Sequence, residues 1–257
     1  MTESHTLLSL LSKKIVSEPY RDTEHLAQLR ARFACNCYVK LPHLFTEETQ
    51  ACLVSEIDRI NVKKREKNFQ MNGYGTPRRM SVISGLEILA SSKFLAICYA
   101  HHDIRKTVSE IIGQDVFGVD HKNEFMVVNL LEREGDTHGW HLDDPSFALI
   151  IVLHAPPEGQ GGCLEYIKDW RELCRRYGLN PESDVDRGVE LAKQIGLFRT
   201  MHHAAGDCYL INAAECLHRV TPIAGQQSIR CALNMAYDDR PIIPFGITAD
   251  LLYGEQA

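Results

Sequence analysis

The chain has 257 residues, of which 44% are hydrophobic, and its formal net charge is −6. A chain of this length can bury a sizeable core, and β-barrel and sandwich enzymes often reach it as one domain. The negative charge argues against a nucleic-acid groove, and no apolar run is long enough to cross a bilayer. The first residues lack the order of a signal peptide. We therefore expect a cytoplasmic protein without nucleic-acid or membrane partners.

The first part of the chain is predicted to be mainly helical. Over residues 7–33 apolar side chains recur at helical spacing, which predicts two helices broken near Pro19. Further helices are predicted from Thr46 and over residues 94–112. Between them, residues 68–80 are rich in Gly and Asn, which predicts a loop or an extended segment. We expect the first 112 residues to act as helical support.

After Gly113 the pattern changes to short strands. The runs are VFGV, EFMVVNLL, FALIIVL, CLEYI, DCYLIN and SIRCALNMAY. Runs of this kind, separated by turn residues, are typical of a sandwich or barrel. One interruption at about 168–195 predicts two helices inserted between strands. We expect a single domain over 1–257, with a β core at 113–240 and a tail at 241–257.

The nine cysteines are scattered along the chain, and their number is odd. Cys35 and Cys37 are one residue apart, which is too close for the usual CxxC metal knuckle. Most of the others stand in apolar surroundings, such as Cys98, Cys208 and Cys231. Reduced, buried cysteines of a cytoplasmic protein explain this pattern better than a disulfide framework.

The most apolar run, Phe147–Leu153, is predicted to be a buried strand, and metal-binding residues stand just before it. His141 and Asp143 are two residues apart, so on an extended backbone both side chains point to one face. His218, far downstream, could complete a face of three ligands. Two histidines and one carboxylate are the set expected for non-haem Fe(II), which leaves open positions for substrate and oxygen. We predict an iron site at these residues.

The downstream order strengthens this prediction. After the H-x-D motif come His218 and, twelve residues later, Arg230. This order resembles the iron(II)/2-oxoglutarate dioxygenase superfamily over about residues 116–237. The resemblance implies an α+β fold with a mainly β core, a double-stranded β-helix of jelly-roll type, with Fe(II) as cofactor and 2-oxoglutarate and O2 as co-substrates. Arg230 would bind the distal carboxylate of 2-oxoglutarate, since its planar guanidinium can contact both oxygens.

A narrower resemblance involves residues around the motif: Glu124, His138, Asp144, Asn234, and Arg78 or Arg79 in GYGTPRRM. The set is similar to the bacterial family of free-amino-acid radical halogenases and hydroxylases typified by the lysine chlorinase. By that resemblance, Glu124, Asp144 and Asn234 would face the side-chain ammonium of the substrate. Arg78 and His138 would face its carboxylate. The family also has a C-terminal aromatic in the pocket, for which Phe245 and Tyr253 are both candidates.

One departure from the halogenases bears on the reaction. They carry glycine at the carboxylate position, which frees a coordination site for chloride, whereas this chain has Asp143. Three protein ligands and bidentate 2-oxoglutarate leave one position for oxygen and none for a halide. The resemblance therefore implies a hydroxylase of a free basic L-amino acid, with L-lysine the leading candidate and ornithine and arginine its competitors.

Two alternatives remain open. The enzyme could act on another amino acid or on a peptide side chain, and a protein substrate would favour an open, groove-like site. The chain could instead be a non-catalytic β-helix protein that binds a metal. The sequence leaves the oligomeric state open, a homodimer included.

Overall fold

The computed structural model describes residues 12–71, 73–225, 228–246 and 248–253. The predicted helix that starts near residue 7 begins outside these ranges. The helices are α1 (Thr23–Asn36), α2 (Glu47–Ile60), α3 (Gly85–Ser91), α4 (Lys93–Ala100), α5 (His102–Ile112), α6 (Trp170–Tyr177), α7 (Val185–Gln194) and α8 (Thr248–Tyr253), with 3-10 turns at Glu18–Arg21 and Asn61–Lys63. Within the described ranges, none of these helices has the length and apolarity that crossing a bilayer requires.

The strands form one curled antiparallel sheet. They are β1 (Tyr38–Pro42), β2 (Arg65–Gln70), β3 (Pro77–Ile83), β4 (Phe117–Gly118), β5 (Met126–Leu131), β6 (Thr137–His141), β7 (Phe147–His154), β8 (Leu164–Ile167), β9 (Phe198–Met201), β10 (Asp207–Asn212), β11 (Leu217–Val220) and β12 (Arg230–Asp238). Their order is β1-β10-β7-β12-β5-β3-β6-β11-β8-β9, with β2 beside β3 and β4 beside β12. The α+β class and the double-stranded β-helix predicted from the sequence are confirmed.

Strand β7 lies in the middle of the sheet, between β10 and β12. Its β-branched and aliphatic side chains suit a strand that is buried on both faces. Alternate residues pack into the larger apolar core, namely Phe147, Leu149, Ile151 and Leu153. Ala148 and Ile150, on the opposite face, line a cavity enclosed by the curl of the sheet. The sheet therefore separates an apolar core from a polar cavity.

The N-terminal helices cover the apolar face of the sheet. In α1 the buried residues Leu26, Leu29 and Phe33 recur at helical spacing and belong to the larger core. The helix begins after Asp22, whose carboxylate accepts a hydrogen bond from the backbone N–H of His25 at 2.7 Å. A left-handed residue at position 37 (φ 55°) ends the helix and turns the chain into β1.

Three strands also come from the part predicted to be mainly helical. Residues 68–80 lie largely in β2 and β3, so the extended alternative is correct over most of that segment. Strand β1 pairs with β10, and β3 pairs with both β5 and β6. Helical periodicity does not predict β1, because its partner β10 stands far along the chain.

The insertion between β8 and β9 forms the two predicted helices, α6 and α7. Trp170 is fully buried between them and its indole Nε1 donates to the carbonyl of Pro181 at 2.9 Å. Gly188 in α7 lies against the indole, where a Cβ atom would approach to 2.2 Å. The insertion is therefore packed against the sheet beside the cavity.

Candidate active site

The three predicted metal ligands meet at one end of the cavity. His141 is the last residue of β6 and lies directly opposite His218 on β11, so the two rings share one face of the sheet. Asp143 follows β6, and its Oδ1 lies 3.3 Å from Nε2 of His141 and 3.8 Å from Nε2 of His218. One donor atom from each residue lies within 4.8 Å of the other two.

Backbone carbonyls orient both imidazole rings. Nδ1 of His141 lies 2.7 Å from the carbonyl of Gly139, and Nδ1 of His218 lies 2.8 Å from that of Cys216. A carbonyl can only accept, so each Nδ1 carries the proton and each Nε2 keeps its lone pair for a metal. This arrangement fixes the tautomer and the ring orientation before any ion binds.

The protonation states also suit a metal. Burial lowers the pKa of His141 to about 3, which keeps the ring neutral. Burial alone would raise the pKa of Asp143, but the neighbouring His218 and His141 lower it to about 2. Neutral imidazoles and an ionised carboxylate are the forms that bind metal ions. Two histidines and one carboxylate on one face fit Fe(II) and leave the opposite side open.

Arg230 is a buried cation at the start of β12. The residue is 3% exposed, and it makes no ion pair with any residue that the structure describes. Its described hydrogen-bond contact is with the hydroxyl of Tyr209, at 3.5 Å. A buried guanidinium without a carboxylate is costly. Because Arg230 lines the cavity, it fits the distal carboxylate of 2-oxoglutarate.

Tyr209 on β10 is a site residue that the sequence analysis missed. Arginine offers only donors, so the Tyr209 oxygen accepts from Arg230 and the hydroxyl proton stays available for an anion. The ring stacks on His203 at 4.2 Å between centroids, and His203 Nε2 lies 2.8 Å from the hydroxyl of Tyr38. Strand alternation in DCYLIN places Tyr209 on the same side as Ile211, but it does not reveal which side faces the cavity.

All the predicted site residues line this one cavity: Arg78, Glu124, His138, His141, Asp143, Asp144, His218, Arg230 and Asn234. They come from β3, the loop before β5, β6 and the loop after it, β11 and β12. Three of them bear buried polar atoms that have no hydrogen-bond partner in the described part of the chain, namely Nε of Arg78, Nε2 of His138 and Oδ1 of Asn234. Such atoms are costly unless a ligand satisfies them.

Arg78 and Arg79 have different environments. Arg78 is 2% exposed and lines the cavity. Arg79 points the other way, with a side chain that is 46% exposed and lies 3.2 Å from Asp136. The alternation of β3 separates them, so the structure brings Arg78 to the cavity.

Strands β3 and β6 approach closely beside the cavity. Arg78 and His138 are direct cross-strand partners. At Gly139, a Cβ atom would lie 2.6 Å from the carbonyl oxygen of Pro77, closer than any real contact. Glycine is therefore required for this approach. The rings of His138 and His141 also stack, with 4.3 Å between their centroids. Burial keeps the pKa of His138 well below its usual range.

Two carboxylates, those of Glu124 and Asp144, line the same cavity as this arginine–histidine pair. Burial and the charges of Asp143 and Asp144 together raise the pKa of Glu124 to about 8, against the opposing effect of the Arg78 charge. Burial also raises the pKa of Asp144, whose Oδ2 accepts a hydrogen bond from the backbone N–H of Gly246 at 2.9 Å. A cation between these carboxylates would relieve their repulsion.

The C-terminal aromatic in the cavity is Tyr253, the last residue of α8. Phe245 lies elsewhere and stacks on His121, with ring centroids 4.5 Å apart. Glu124 and Arg78 influence the pKa of Tyr253, which burial raises well above its usual range. Its hydroxyl therefore stays protonated.

Comparison with known proteins identifies the fold and the family. No curated protein sequence matches the chain. The epimerase SnoN from nogalamycin biosynthesis is 18% identical, with 85% of this chain and 82% of SnoN covered and a TM-score of 0.63. SnoN in complex with Fe3+, α-ketoglutarate and nogalamycin RO gives 16% identity, 85% coverage of both chains and a TM-score of 0.62.

HygX from Streptomyces hygroscopicus, with nickel and 2-oxoglutarate bound, is 14% identical, covers 82% and 86% of the two chains and has a TM-score of 0.56. At these identities the likeness shows the fold, and the histidine–aspartate triad with Arg230 fits Fe(II) and 2-oxoglutarate. The family model HalD, described as Halogenase D, matches residues 21–243. The chain therefore belongs to the Halogenase D family and has the fold of iron(II)/2-oxoglutarate-dependent oxygenases.

Proposed function

We propose that this protein is an Fe(II)/2-oxoglutarate-dependent hydroxylase of a free basic L-amino acid, with L-lysine the leading substrate. The observation that carries the proposal is the charge pattern of the cavity. Arg78 and His138 present unpartnered polar atoms, whereas Glu124 and Asp144 present carboxylates with raised pKa values. A zwitterion with a cationic side chain matches both groups beside the metal ligands.

His141, Asp143 and His218 hold the iron, which together with 2-oxoglutarate and O2 supplies the oxidising power to cleave a C–H bond. Arg230 binds the distal carboxylate of 2-oxoglutarate, and the Tyr209 hydroxyl donates to it. These two contacts orient the keto-acid end of the co-substrate toward the three ligands.

Arg78 and His138 bind the α-carboxylate of the substrate. Arg78 is buried and His138 is partly buried, and the buried Nε of Arg78 and Nε2 of His138 supply donors for the carboxylate oxygens. Glu124 and Asp144 bind the side-chain ammonium, and the unpartnered Oδ1 of Asn234 accepts a further hydrogen bond from it. The methylenes between the two ends are then fixed in position, which lowers the entropic part of the barrier.

Hydroxylation is favoured over halogenation, the activity in the family's name, because of Asp143. Its carboxylate lies close to both histidine Nε2 atoms and acts as a third protein ligand. With 2-oxoglutarate bound through two atoms, six-fold coordination leaves one position, which oxygen needs. A halide therefore has no place on the metal.

A free amino acid is favoured over a peptide because the cavity is covered at this end. Leu252 and Tyr253 of α8 line it, and Tyr253 stands near Glu124 and Arg78. Arg78 is buried, so a chain that continued beyond the substrate carboxyl would collide with protein. The non-catalytic alternative is disfavoured because the triad is intact and Arg230 has no ion pair with the residues that the structure describes.

The test uses full-length enzyme loaded without oxygen with Fe(II) and 2-oxoglutarate. Lysine, ornithine, arginine, neutral amino acids or lysine-containing peptides are added separately, with and without bromide, and the mixtures are then exposed to air. Mass spectrometry should find one added oxygen on lysine, formation of succinate, and no bromine in the product. The His218→Ala variant serves as the inactive control.

Each competing function gives its own product. Oxygen added to neutral amino acids but to no basic one would contradict the cationic substrate. Oxygen added to peptides alone would favour the protein-modifying alternative, and brominated lysine would contradict the role given to Asp143. Absence of succinate with every substrate would favour a non-catalytic metal-binding protein.

A further inference from the structure

Two cysteines meet behind the metal site. Cys37 follows α1, and Cys216 stands in the turn between β10 and β11, two residues before His218. The backbone holds both to Asn212, whose N–H donates to the carbonyl of Cys37 at 2.8 Å and whose carbonyl accepts from the N–H of Cys216 at 3.0 Å. The two cysteines are therefore kept together by main-chain contacts that do not involve sulfur.

The buried thiol of Cys216 also points to Cys37. Sγ of Cys216 lies 4.0 Å from the carbonyl oxygen of Cys37, and the thiol of each residue shifts the pKa of the other. Cys216 is completely buried, whereas Cys37 is only partly buried. An oxidant in the solvent can therefore reach Cys37, whereas Cys216 is shielded from it.

The buried member of the pair is linked directly to a metal ligand. The carbonyl of Cys216 accepts the hydrogen bond from Nδ1 of His218 at 2.8 Å. This contact fixes the tautomer and the direction of the ring, as partners behind metal ligands commonly do. A displacement of Cys216 is therefore passed to His218 through one hydrogen bond.

We propose that Cys37 and Cys216 form a reversible disulfide in the presence of hydrogen peroxide, and that this bond weakens the binding of metal by His218. The consequence for metal binding rests on the iron site of the proposed function. Closing the bond turns the Cys216 sulfur from the Cys37 carbonyl to the Cys37 sulfur, which displaces the Cys216 carbonyl from the His218 ring.

The chemistry balances in two steps. The Cys37 thiolate attacks one oxygen of peroxide, the O–O bond breaks, and the departing hydroxide takes up a proton to become water, which leaves a sulfenic acid on Cys37. The Cys216 sulfur then attacks the sulfenic sulfur, the S–O bond breaks, and the thiol proton leaves with the hydroxyl as a second water. Two thiols and one peroxide give one disulfide and two waters.

Cys37 is the member that reacts first. It is the more accessible of the two, and the hydrogen bond from the Cys216 thiol lowers the pKa of Cys37. The thiolate is the reactive form, so exposure and acidity favour the same residue. Cys35 is exposed as well, which makes it a matched control.

The experiment treats the metal-free full-length chain with hydrogen peroxide, then digests it without reductant for mass spectrometry. A peptide containing Cys37 should be joined to one containing Cys216, with the loss of two hydrogens, and dithiothreitol should separate them. Co(II) is then titrated into reduced and oxidised protein and followed by its visible absorption. Oxidation should weaken Co(II) binding by about 10-fold or more, the range seen when a partner behind a metal ligand is lost.

Two different substitutions of Cys37 are used, so that the result does not depend on one variant that fails to fold. Both Cys37→Ser and Cys37→Ala should give no joined peptide and the same Co(II) affinity before and after peroxide. Cys35→Ser should behave as the unmodified chain does.

The inference is overturned if the joined peptide does not form, or if it forms and Co(II) affinity stays unchanged. Lysine turnover by the reduced, iron-loaded protein is measured separately. A reduced protein that binds Co(II), loses it on oxidation, but hydroxylates no amino acid would contradict only the proposed function. A reduced protein that binds no Co(II) contradicts both.

Discussion

The two ends of the cavity differ in how far they are organised before a ligand binds. At the metal end, backbone carbonyls hold both histidine rings, and Asp143 lies near both Nε2 atoms. At the substrate end, Arg78 and His138 carry polar atoms without partners. Hydrogen bonds already orient the rings at the first end, whereas at the second end the buried Nε of Arg78 and Nε2 of His138 depend on a ligand for theirs. Substitutions at the two ends should therefore affect different steps.

The largest effect is expected from His218→Ala at the organised end. The variant removes one of three metal ligands, so iron binding and turnover should both be lost while the fold is kept. Iron content and succinate formation are the measurements. Full activity in this variant would remove the basis for the metal site.

Arg230→Ala comes next, because it leaves the distal carboxylate of 2-oxoglutarate without its buried cation. Losing one partner of such a pair costs about 2–5 kcal/mol, which should appear as a higher KM for 2-oxoglutarate. Tyr209→Phe removes a neutral donor and should cost only about 1 kcal/mol.

A 2-oxo acid that lacks the distal carboxylate is the control for both variants, since its binding should be the same in all three proteins. Unchanged 2-oxoglutarate affinity in Arg230→Ala would point to another cation. Arg219 is poorly placed for that task, because it pairs with Glu165 and lies 4.7 Å over the Trp140 ring.

At the substrate end, Glu124→Gln keeps the shape of the side chain and removes its charge. Lysine binding should weaken by about 2–5 kcal/mol, whereas 2-oxoglutarate binding should stay unchanged. Calorimetric titration with each ligand separates the two. A parallel loss of both affinities would mean that Glu124 supports the whole cavity and does not select the ammonium.

The raised pKa of Glu124 also predicts that the affinity for lysine depends on pH. Before substrate binds, the pKa of Glu124 is about 8, so below that pH the group is mostly protonated and must lose its proton to pair with lysine. Lysine affinity should therefore rise with pH up to about 8, by at most about tenfold per unit, while the side-chain ammonium with its pKa near 10.4 stays charged. In Glu124→Gln this dependence should disappear.

The smallest effect is expected from Arg79→Ala, the neighbour of Arg78 on the outer face of β3. An exposed ion pair such as the one with Asp136 contributes about 0–1 kcal/mol to stability, and lysine affinity should stay unchanged. Arg78→Ala should instead weaken lysine binding strongly. Equal losses in the two variants would contradict the division of roles along this strand.

The pairing of His141 with Asp143 could be predicted because it depends on local geometry, whereas His218 was assigned through the motif order that resembles the dioxygenases. Residues two apart on an extended backbone, such as His141 and Asp143, point to the same face. The β-branched run that follows them, Phe147–Leu153, indicates a strand. The long-range contacts could not be predicted. Strand β1 pairs with β10, far along the chain, and the sequence does not reveal that partner.

The lack of information on long-range pairing also explains why the choice between Arg78 and Arg79 was left undecided and why Tyr209 was missed. The choice between Arg78 and Arg79 depends on which face of β3 meets the cavity, and pairing with β5 and β6 decides that. The role of Tyr209 depends on its distance to Arg230, which lies on another strand. Alternation within a strand gives relative sides only.

Gly139 has a consequence for the range of amino acids that this scaffold can accept. Because only a hydrogen atom fits between β6 and the Pro77 carbonyl, the distance between Arg78 and His138 is set by two backbones. Side-chain substitutions cannot adjust that distance gradually. Variants selected for shorter or longer amino acids should therefore keep this pair unchanged and acquire their substitutions around Glu124 and Asp144, the carboxylates proposed to bind the other end of the substrate.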